Sequence, residues 1–343
     1  MENLQEILSY FISDVESYQV RPFGTGLIHH TYLVSKNDEP IYILQEVNHH
    51  VFKNPQAIAE NISNLTKHIN KYHPEEICPS LINTRSGHTY HYVNNQPYRL
   101  STFVPNSHSI DSCTDPSQAY EAAFQFGKFT SMFDGFNLDV LQDTIPQFHD
   151  LNFRWQQFED ANINGNQSRI DQTKIEIDQV QQHKYIVDQY NSLIASGILK
   201  RRVTHHDTKI SNVLLNDQSK GICVIDLDTT MPGYFISDLG DMFRTYLSEA
   251  TEEEQHLEKV IARKSYYDAI IEGYTSAMSN SLTKDELDIL NFSGQFMIYM
   301  QALRFLTDYI NDNRYYGARY ELHNLNRAKN QLKLLDEFIR ITV

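Results

Sequence analysis

The chain is poor in cysteine, with three, and in tryptophan, with one, and it has no run of Lys or Arg and no long apolar stretch. Cys78, Cys113 and Cys223 are odd in number and far apart, without a CxxC pair or a short Cys/His spacing, which excludes a disulfide framework and a zinc site and predicts reduced, mostly buried thiols. Lys plus Arg total 29 against 44 for Asp plus Glu, a formal charge of -15, which argues against nucleic acid or an anionic membrane as the main partner. Met1 to Val20 carries acids and no Lys or Arg, so the positive and apolar regions of a signal peptide are missing. No apolar run approaches the roughly 20 residues of a membrane span. The cytoplasm is the expected location, and a monomer or homodimer the expected state.

What is present is enough chain, 343 residues, for two packed lobes. Leu4, Ile7, Leu8, Phe11, Ile12 and Val15 keep helical spacing and predict an opening helix that ends before Pro22. Strands follow over Tyr18 to Phe23, Thr31 to Ser35 and Ile41 to Val47, broken by Gly24-Thr25-Gly26 and Asn37-Asp38. Pro55 to about Tyr72 is a helix with Asn54 as N-cap, expected to cross behind the sheet. Residues 77 to 104 return to a β pattern, with turns at Ser86-Gly87 and Asn94-Asn95. From Asp115-Pro116 onward the pattern is mostly helical, with caps expected at Thr251 and Thr283, each followed three residues later by Glu. One β island, Val213 to Leu215 and Ile222 to Ile225, reads as a hairpin. The expected fold is α+β: an antiparallel-sheet lobe over residues 1–104 and a larger helical lobe over 105–343.

The chemistry concentrates around that hairpin. His205-His206-Asp207-Thr208-Lys209-Ile210-Ser211-Asn212 has the form H-x-D-x-x-x-x-N, and Asp226-Leu227-Asp228 follows the returning strand. HxD alone is common by chance; the combined spacing is what discriminates. Asn212 precedes one strand and Asp226 follows the other, so an antiparallel hairpin brings both to one open end. Mg²⁺ favours oxygen ligands and takes one or two carboxylates alongside nucleotide phosphates, which makes Asn212 and Asp226 candidate ligands and Asp228 a candidate for a second metal. Asp207 stands where a kinase-type catalytic loop places its base, and Lys209 where a compact cation neutralises a transferring phosphoryl group. His205 and Asp238 are assigned to holding this loop. The histidine pairs at 29-30, 49-50 and 205-206 lack the spacing of a metal enzyme.

Gly24-Thr25-Gly26 is either a lid over ATP phosphates or a plain hairpin turn. The strand Tyr42-Ile43-Leu44-Gln45 is similar to the kinase strand that carries a phosphate-binding Lys, but position 45 holds Gln; Glu60 on the next helix is its candidate partner. A neutral amide supplies no charge, so either another cation substitutes or nucleotide affinity is modest. Thr102 and Phe103 lie in the expected hinge, where extended backbone can meet an adenine edge; an ordinary edge strand is the alternative.

Val203-Thr204-His205-His206-Asp207-Thr208-Lys209 and Val224-Ile225-Asp226-Leu227-Asp228-Thr229 resemble the aminoglycoside-phosphotransferase and choline-kinase superfamily, and the D-T-K and I-D-L-D-T wording resembles its N-acetylhexosamine 1-kinases. Residues 43–48, 51–55, 304–309 and 323–328 extend that resemblance over most of the chain. It implies a two-lobed, protein-kinase-like fold, ATP and Mg²⁺, Asp207 as base, Asn212 and Asp226 as metal ligands, and phosphorylation of N-acetylglucosamine or N-acetylgalactosamine at the anomeric hydroxyl. Arg304 and Asp308 lie one helical turn apart, either bonding the sugar or pairing with each other. Tyr315, Tyr316 and His29 are further acceptor candidates. The competing expectations are a kinase of an amino alcohol or aminoglycoside, whose cations an acidic pocket would suit, and a sugar-binding pseudokinase, suggested only by Gln45.

Overall fold

The computed structural model describes residues 4–24, 28–49 and 52–342. The first lobe is a six-stranded antiparallel sheet. β1 (Tyr18–Pro22), β2 (His30–Lys36) and β3 (Glu39–Glu46) form a meander, β6 (Gln96–Thr102) pairs with β3, and β4 (Leu81–Ile82) and β5 (His91–Val93) both pair with β6. Asn37, Asp38, Asn94 and Asn95 take the left-handed conformation that the two tight turns require. The register sets Gln45 directly opposite Arg99. One face of the sheet buries Val34, Leu44, Tyr98 and Leu100 against Ile7, Leu8 and Phe11.

The opening helix, α1 (Leu4–Ser9), is shorter than its apolar spacing predicts. Phe11 still packs in the core, but Asp14 turns left-handed and the chain leaves the helix to enter β1. α2 (Pro55–Tyr72) spans the expected residues, with the Asn54 side chain accepting from the Ala57 amide at 3.2 Å. Its position differs from expectation. Ala59 faces the sheet side with Val47 and Tyr90, whereas Ile58, Ile62, Leu65 and Ile69 belong to the core of the second lobe. α2 is therefore a shared wall between the lobes.

The second lobe holds α3 (Pro116–Ser131), α4 (Leu151–Asn164), α5 (Gln167–Gln172), α6 (Lys174–Gln182), α7 (Tyr185–Ala195), α8 (Phe235–Tyr246), α9 (Lys264–Met278), α10 (Lys284–Leu287), α11 (Leu290–Ile310) and α12 (His323–Thr342). α11 is buried along most of its length and organises the lobe, burying Phe296, Tyr299, Leu303, Phe305 and Leu306. Capping boxes start α3 at Asp115 and α10 at Thr283. No helix starts at Thr251, because residues 251–256 form turns with no apolar stripe behind them to bury. Two small ribbons complete the lobe: β7 (Arg201–Thr204) with β10 (Met231–Tyr234), and β8 (Val213–Leu215) with β9 (Gly221–Val224). Among the described residues no helix is long and apolar enough to cross a membrane. The three cysteines are free, with Cys113 and Cys223 buried.

Candidate active site

The 205–212 loop joins β7 to β8 and is suspended from the first half of α8. The Asp238 carboxylate accepts from the backbone amides of His205 and His206 at 2.9 and 2.8 Å, and Asp241 accepts from the Thr208 amide at 2.9 Å. Tyr246 donates its hydroxyl to the Thr208 carbonyl. The His205 ring is fully buried and bonds the Ile225 carbonyl at 2.9 Å, tying the loop to the segment that leads into Asp226. His205 and Asp238 thus have the holding role expected of them. Burial raises the Asp238 carboxyl to about 7, against the two amide bonds that favour its charged form.

The hairpin closes as its spacing requires. Val213 pairs with Val224, and the Ile225 amide donates to the Asn212 carbonyl at 2.9 Å. Asn212 Nδ2 donates to Asp207 Oδ2 at 3.0 Å, and among the described residues its amide oxygen accepts no hydrogen bond. Lys209 Nζ donates to the same Asp207 oxygen at 2.9 Å. Asp207 Oδ1 has no protein donor among the described residues, so one carboxylate oxygen stays open to an acceptor hydroxyl. Burial opposes the Asp207 charge, but the Lys209 ammonium outweighs it and holds the carboxyl below its ordinary range; Lys209 is raised in turn.

Asp226 and Asp228 differ sharply. The Asp226 carboxylate has no hydrogen-bond or ion-pair partner among the described residues, and burial and then the Asp228 charge push it up. That is the condition of a carboxylate built to meet a cation, and with the Asn212 oxygen it gives the hard donor set that an oxygen-seeking divalent ion fits. Asp228 is spoken for: Oδ1 accepts from Arg99 at 2.5 Å and Oδ2 from His29 Nε2 at 2.9 Å. His29, Asp226 and Asp228 lie within metal-ligand spacing of one another. However, the Asn48 amide donates to His29 Nδ1 at 3.0 Å, so Nε2 carries the proton and is no ligand. His29 sits in this interlobe contact rather than free to meet an acceptor.

At the expected hinge, Phe103 and Phe23 meet edge to face, ring centroids 6.3 Å apart, and Gly24 follows with φ +76. Thr25 and Gly26 lie outside the described residues. The Thr102 and Phe103 amides donate to Ser80 and Ile41 at 3.0 Å each, so neither N–H is open to an adenine edge. Glu60 does not face Gln45. It is exposed and bonds Gln56 and Gln142, while its neighbour Asn61 points inward. Gln45 instead accepts from Arg99 Nε at 2.9 Å.

The acceptor candidates split. Asp308 is buried and forms no ion pair with Arg304; its oxygens accept from the Tyr315 and Tyr316 amides at 2.7 and 3.0 Å and from Asn324 at 2.9 Å, fastening the loop after α11. Arg304 Cζ packs on the rings of Phe148, Tyr316 and Tyr315 at 5.2, 5.3 and 5.7 Å. Its NH1 donates to Gln301 at 3.1 Å, and its Nε is buried without a partner among the described residues. Arg154 and His149 lie nearby: the Arg154 guanidinium is lowered to about 10 by burial and then by Arg304, and His149 is held well below its ordinary range by burial, His206 and the surrounding arginines. Residues that spacing alone did not single out complete the wall, with Arg244 paired to Asp241 and Glu252 at 2.9 Å each.

A family model described as "Phosphotransferase enzyme family" matches residues 19–274. Among solved structures, an aminoglycoside phosphotransferase from Alicyclobacillus acidocaldarius is similar over 100% of this chain and 96% of its own, with a TM-score of 0.69 at 13% identity. A choline kinase from Cryptosporidium parvum matches 98% of this chain and 96% of its own, with a TM-score of 0.62 at 14% identity. An amicoumacin kinase solved in complex with AMP-PNP, Ca²⁺ and Ami matches 97% of this chain and 92% of its own, with a TM-score of 0.63 at 12% identity. These likenesses show the two-lobed kinase fold. The family model covers residues 19–274 of 343, well over half of the sequence, and by that match the chain belongs to the phosphotransferase enzyme family.

Proposed function

We propose that the protein transfers the γ-phosphate of ATP, with Mg²⁺, to the anomeric hydroxyl of N-acetylglucosamine or N-acetylgalactosamine. The observation that carries the acceptor class is Arg304, an arginine with no carboxylate partner among the described residues, seated on three aromatic rings and lying in the field of the buried Arg154. A wall of that sign repels the ammonium groups of an amino alcohol or aminoglycoside, whereas a guanidinium donates readily to sugar hydroxyls and an acetamido carbonyl. The likeness of residues 203–209, 224–229 and 304–309 to N-acetylhexosamine 1-kinases supports the same class. Exposed Tyr315 adds an aromatic surface on which a pyranose face can lie.

In this mechanism the open Asp207 oxygen accepts the acceptor hydroxyl's hydrogen bond and orients it in line with the γ-phosphorus. Lys209 keeps Asp207 ionised and weakly basic, which suffices because a loose phosphoryl-transfer transition state needs the proton only late and a sugar's anomeric hydroxyl is its most acidic. Asn212 and Asp226 would hold the divalent ion, which when bound neutralises charge on the phosphates. The decisive experiment is ADP release from Mg²⁺-ATP with N-acetylglucosamine, N-acetylgalactosamine, glucose, galactose, choline and kanamycin, the product read by phosphorus NMR. An anomeric phosphate on an N-acetylated sugar is the expected result. Turnover with the cations alone would sink the acceptor class and keep the catalytic loop; nucleotide binding without turnover on any of them would favour a sugar-binding pseudokinase.

A further inference from the structure

Gln45 raises a problem in charge: a kinase sheet positions nucleotide phosphates with a strand cation, and β3 offers only an amide. The register answers it one strand away. Arg99 on β6 is the cross-strand partner of Gln45, its Nε donates to Gln45 Oε1 at 2.9 Å, and its NH1 reaches across the cleft to Asp228 Oδ1 at 2.5 Å. The arginine is 4% exposed and Asp228 1%. The other Asp228 oxygen accepts from His29, the residue before β2, whose tautomer is fixed by the Asn48 amide. A strand of the sheet and the residue leading into another therefore grip one carboxylate of the other lobe, and each of its oxygens accepts a hydrogen bond in doing so.

We propose that Asp228 is the anchor of an interlobe clamp made with Arg99 and His29, not a second metal ligand, and that position 45 is neutral because it orients the clamp's arginine on β6 rather than meeting phosphate itself. Gln45 is then a positioning residue, its amide oxygen orienting the guanidinium. Its neutrality follows directly: a lysine at 45 would set a second cation against Arg99 in a buried site. Asp226, without a hydrogen-bond or ion-pair partner among the described residues, keeps the metal role. The inference rests on the nucleotide-binding part of the proposed function, but not on the acceptor.

The test uses the full chain with AMP-PNP and Mg²⁺, measuring nucleotide affinity by calorimetry and the thermal midpoint without nucleotide. Asp226→Asn is expected to raise the Mg²⁺ concentration needed for nucleotide binding about tenfold or more, while Asp228→Asn leaves it within about twofold. Asp228→Asn and Arg99→Gln each lower the thermal midpoint without nucleotide, and the double variant is no worse than the worse single, because both substitutions break one contact. Should either single variant fail to fold, the double variant, which leaves neither charge buried alone, carries the metal titration. Gln45→Lys is the sharpest arm: the clamp predicts lower thermal stability and weaker nucleotide binding, whereas a chain that had merely lost its strand lysine would bind nucleotide more tightly. Tighter binding by Gln45→Lys, an equal metal shift in Asp226→Asn and Asp228→Asn, or multiplying effects of Arg99→Gln and Asp228→Asn would each overturn it. A wild-type protein that binds AMP-PNP but phosphorylates no sugar would sink the acceptor assignment and leave the clamp standing, and the nucleotide-free midpoint reads the clamp by itself.

Discussion

Asn61 on α2 forms a two-way amide pair with the backbone of Gln142 in the other lobe, donating from Nδ2 to its carbonyl at 2.8 Å and accepting from its amide at 2.9 Å. The same Nδ2 lies 3.1 Å from the Thr230 carbonyl, two residues beyond Asp228. Asn61 is fully buried, so its replacement by Leu strands one donor and two acceptors away from water. At about 1–3 kcal/mol for each group left unsatisfied, with partial relaxation, a loss of about 3 kcal/mol is expected in urea unfolding. Glu60→Ala, one residue away on the exposed face, is expected to change stability by less than about 0.5 kcal/mol. Equal losses for the two would remove Asn61 from its interlobe role.

Asp207→Asn keeps shape and polarity but removes the carboxylate to which the proposed mechanism gives the acceptor hydroxyl. Turnover is expected to fall about 10²–10⁴-fold while AMP-PNP binding measured by calorimetry stays within a few-fold of wild type. A near-normal rate in this variant would remove Asp207 from the base role.

What the sequence made legible was local. Asn54-Pro55 and the spacing of Ile58, Ile62, Leu65 and Ile69 placed α2 to the residue, and the run from His205 to Asn212 placed the loop that leads into the β8–β9 hairpin, because caps, periodicity and hairpin register act over a few residues. The charge balance of the cleft was not local. Arg99 and Asp228 are 129 positions apart, and only the pairing of β3 with β6, strands separated by α2, sets Arg99 opposite Gln45. Asn61 did leave a trace: it is three residues after Ile58 and four before Leu65, so an amide stood on the apolar face, while Glu60 beside it pointed out. Thr251 shows the opposite failure. A Thr with Glu three residues on is a cap only if an amphipathic turn follows, and here Glu254 bonds the His256 amide inside a turn instead.

Asp308 and Arg304 should separate under substitution. Arg304→Met removes the guanidinium but keeps a long apolar side chain on Phe148 and Tyr316, so acceptor KM is expected to rise about tenfold or more with nucleotide KM unchanged. Asp308→Asn loses one of the acceptors that fix the 315–316 amides, so its effect should appear first as a stability loss of about 1–3 kcal/mol and only secondarily in acceptor KM. An unchanged acceptor KM in Arg304→Met would take the guanidinium out of the acceptor pocket.

The His149 and His206 rings give stability a pH dependence of definite sign. Their Nδ1 atoms lie 3.1 Å apart, so one carries a proton and the other accepts it, and both rings are neutral in the fold. Burial and then the neighbouring His205 hold His206 down to about 3, and burial, His206 and the nearby Arg304, Arg154 and Arg244 hold His149 low as well. An unfolded imidazole takes its proton near pH 6.5, so the unfolded chain binds more protons below that point, and this contribution is fully present above about 6.5 and lost as pH falls toward 3. Asp238 opposes it. Its folded carboxyl holds a proton up to about 7 while the unfolded one releases it near 3.9, so its contribution is present at low pH and lost as pH rises through 4 to 7. The two slopes partly cancel in the wild-type protein, and substitution separates them. His149→Gln should lose less stability than wild type between pH 7 and 5 in urea unfolding, and Asp238→Asn should lose more over the same interval, because it keeps the histidine slope and drops the opposing one. Parallel curves for wild type and His149→Gln would mean that the paired imidazoles do not stay neutral in the fold.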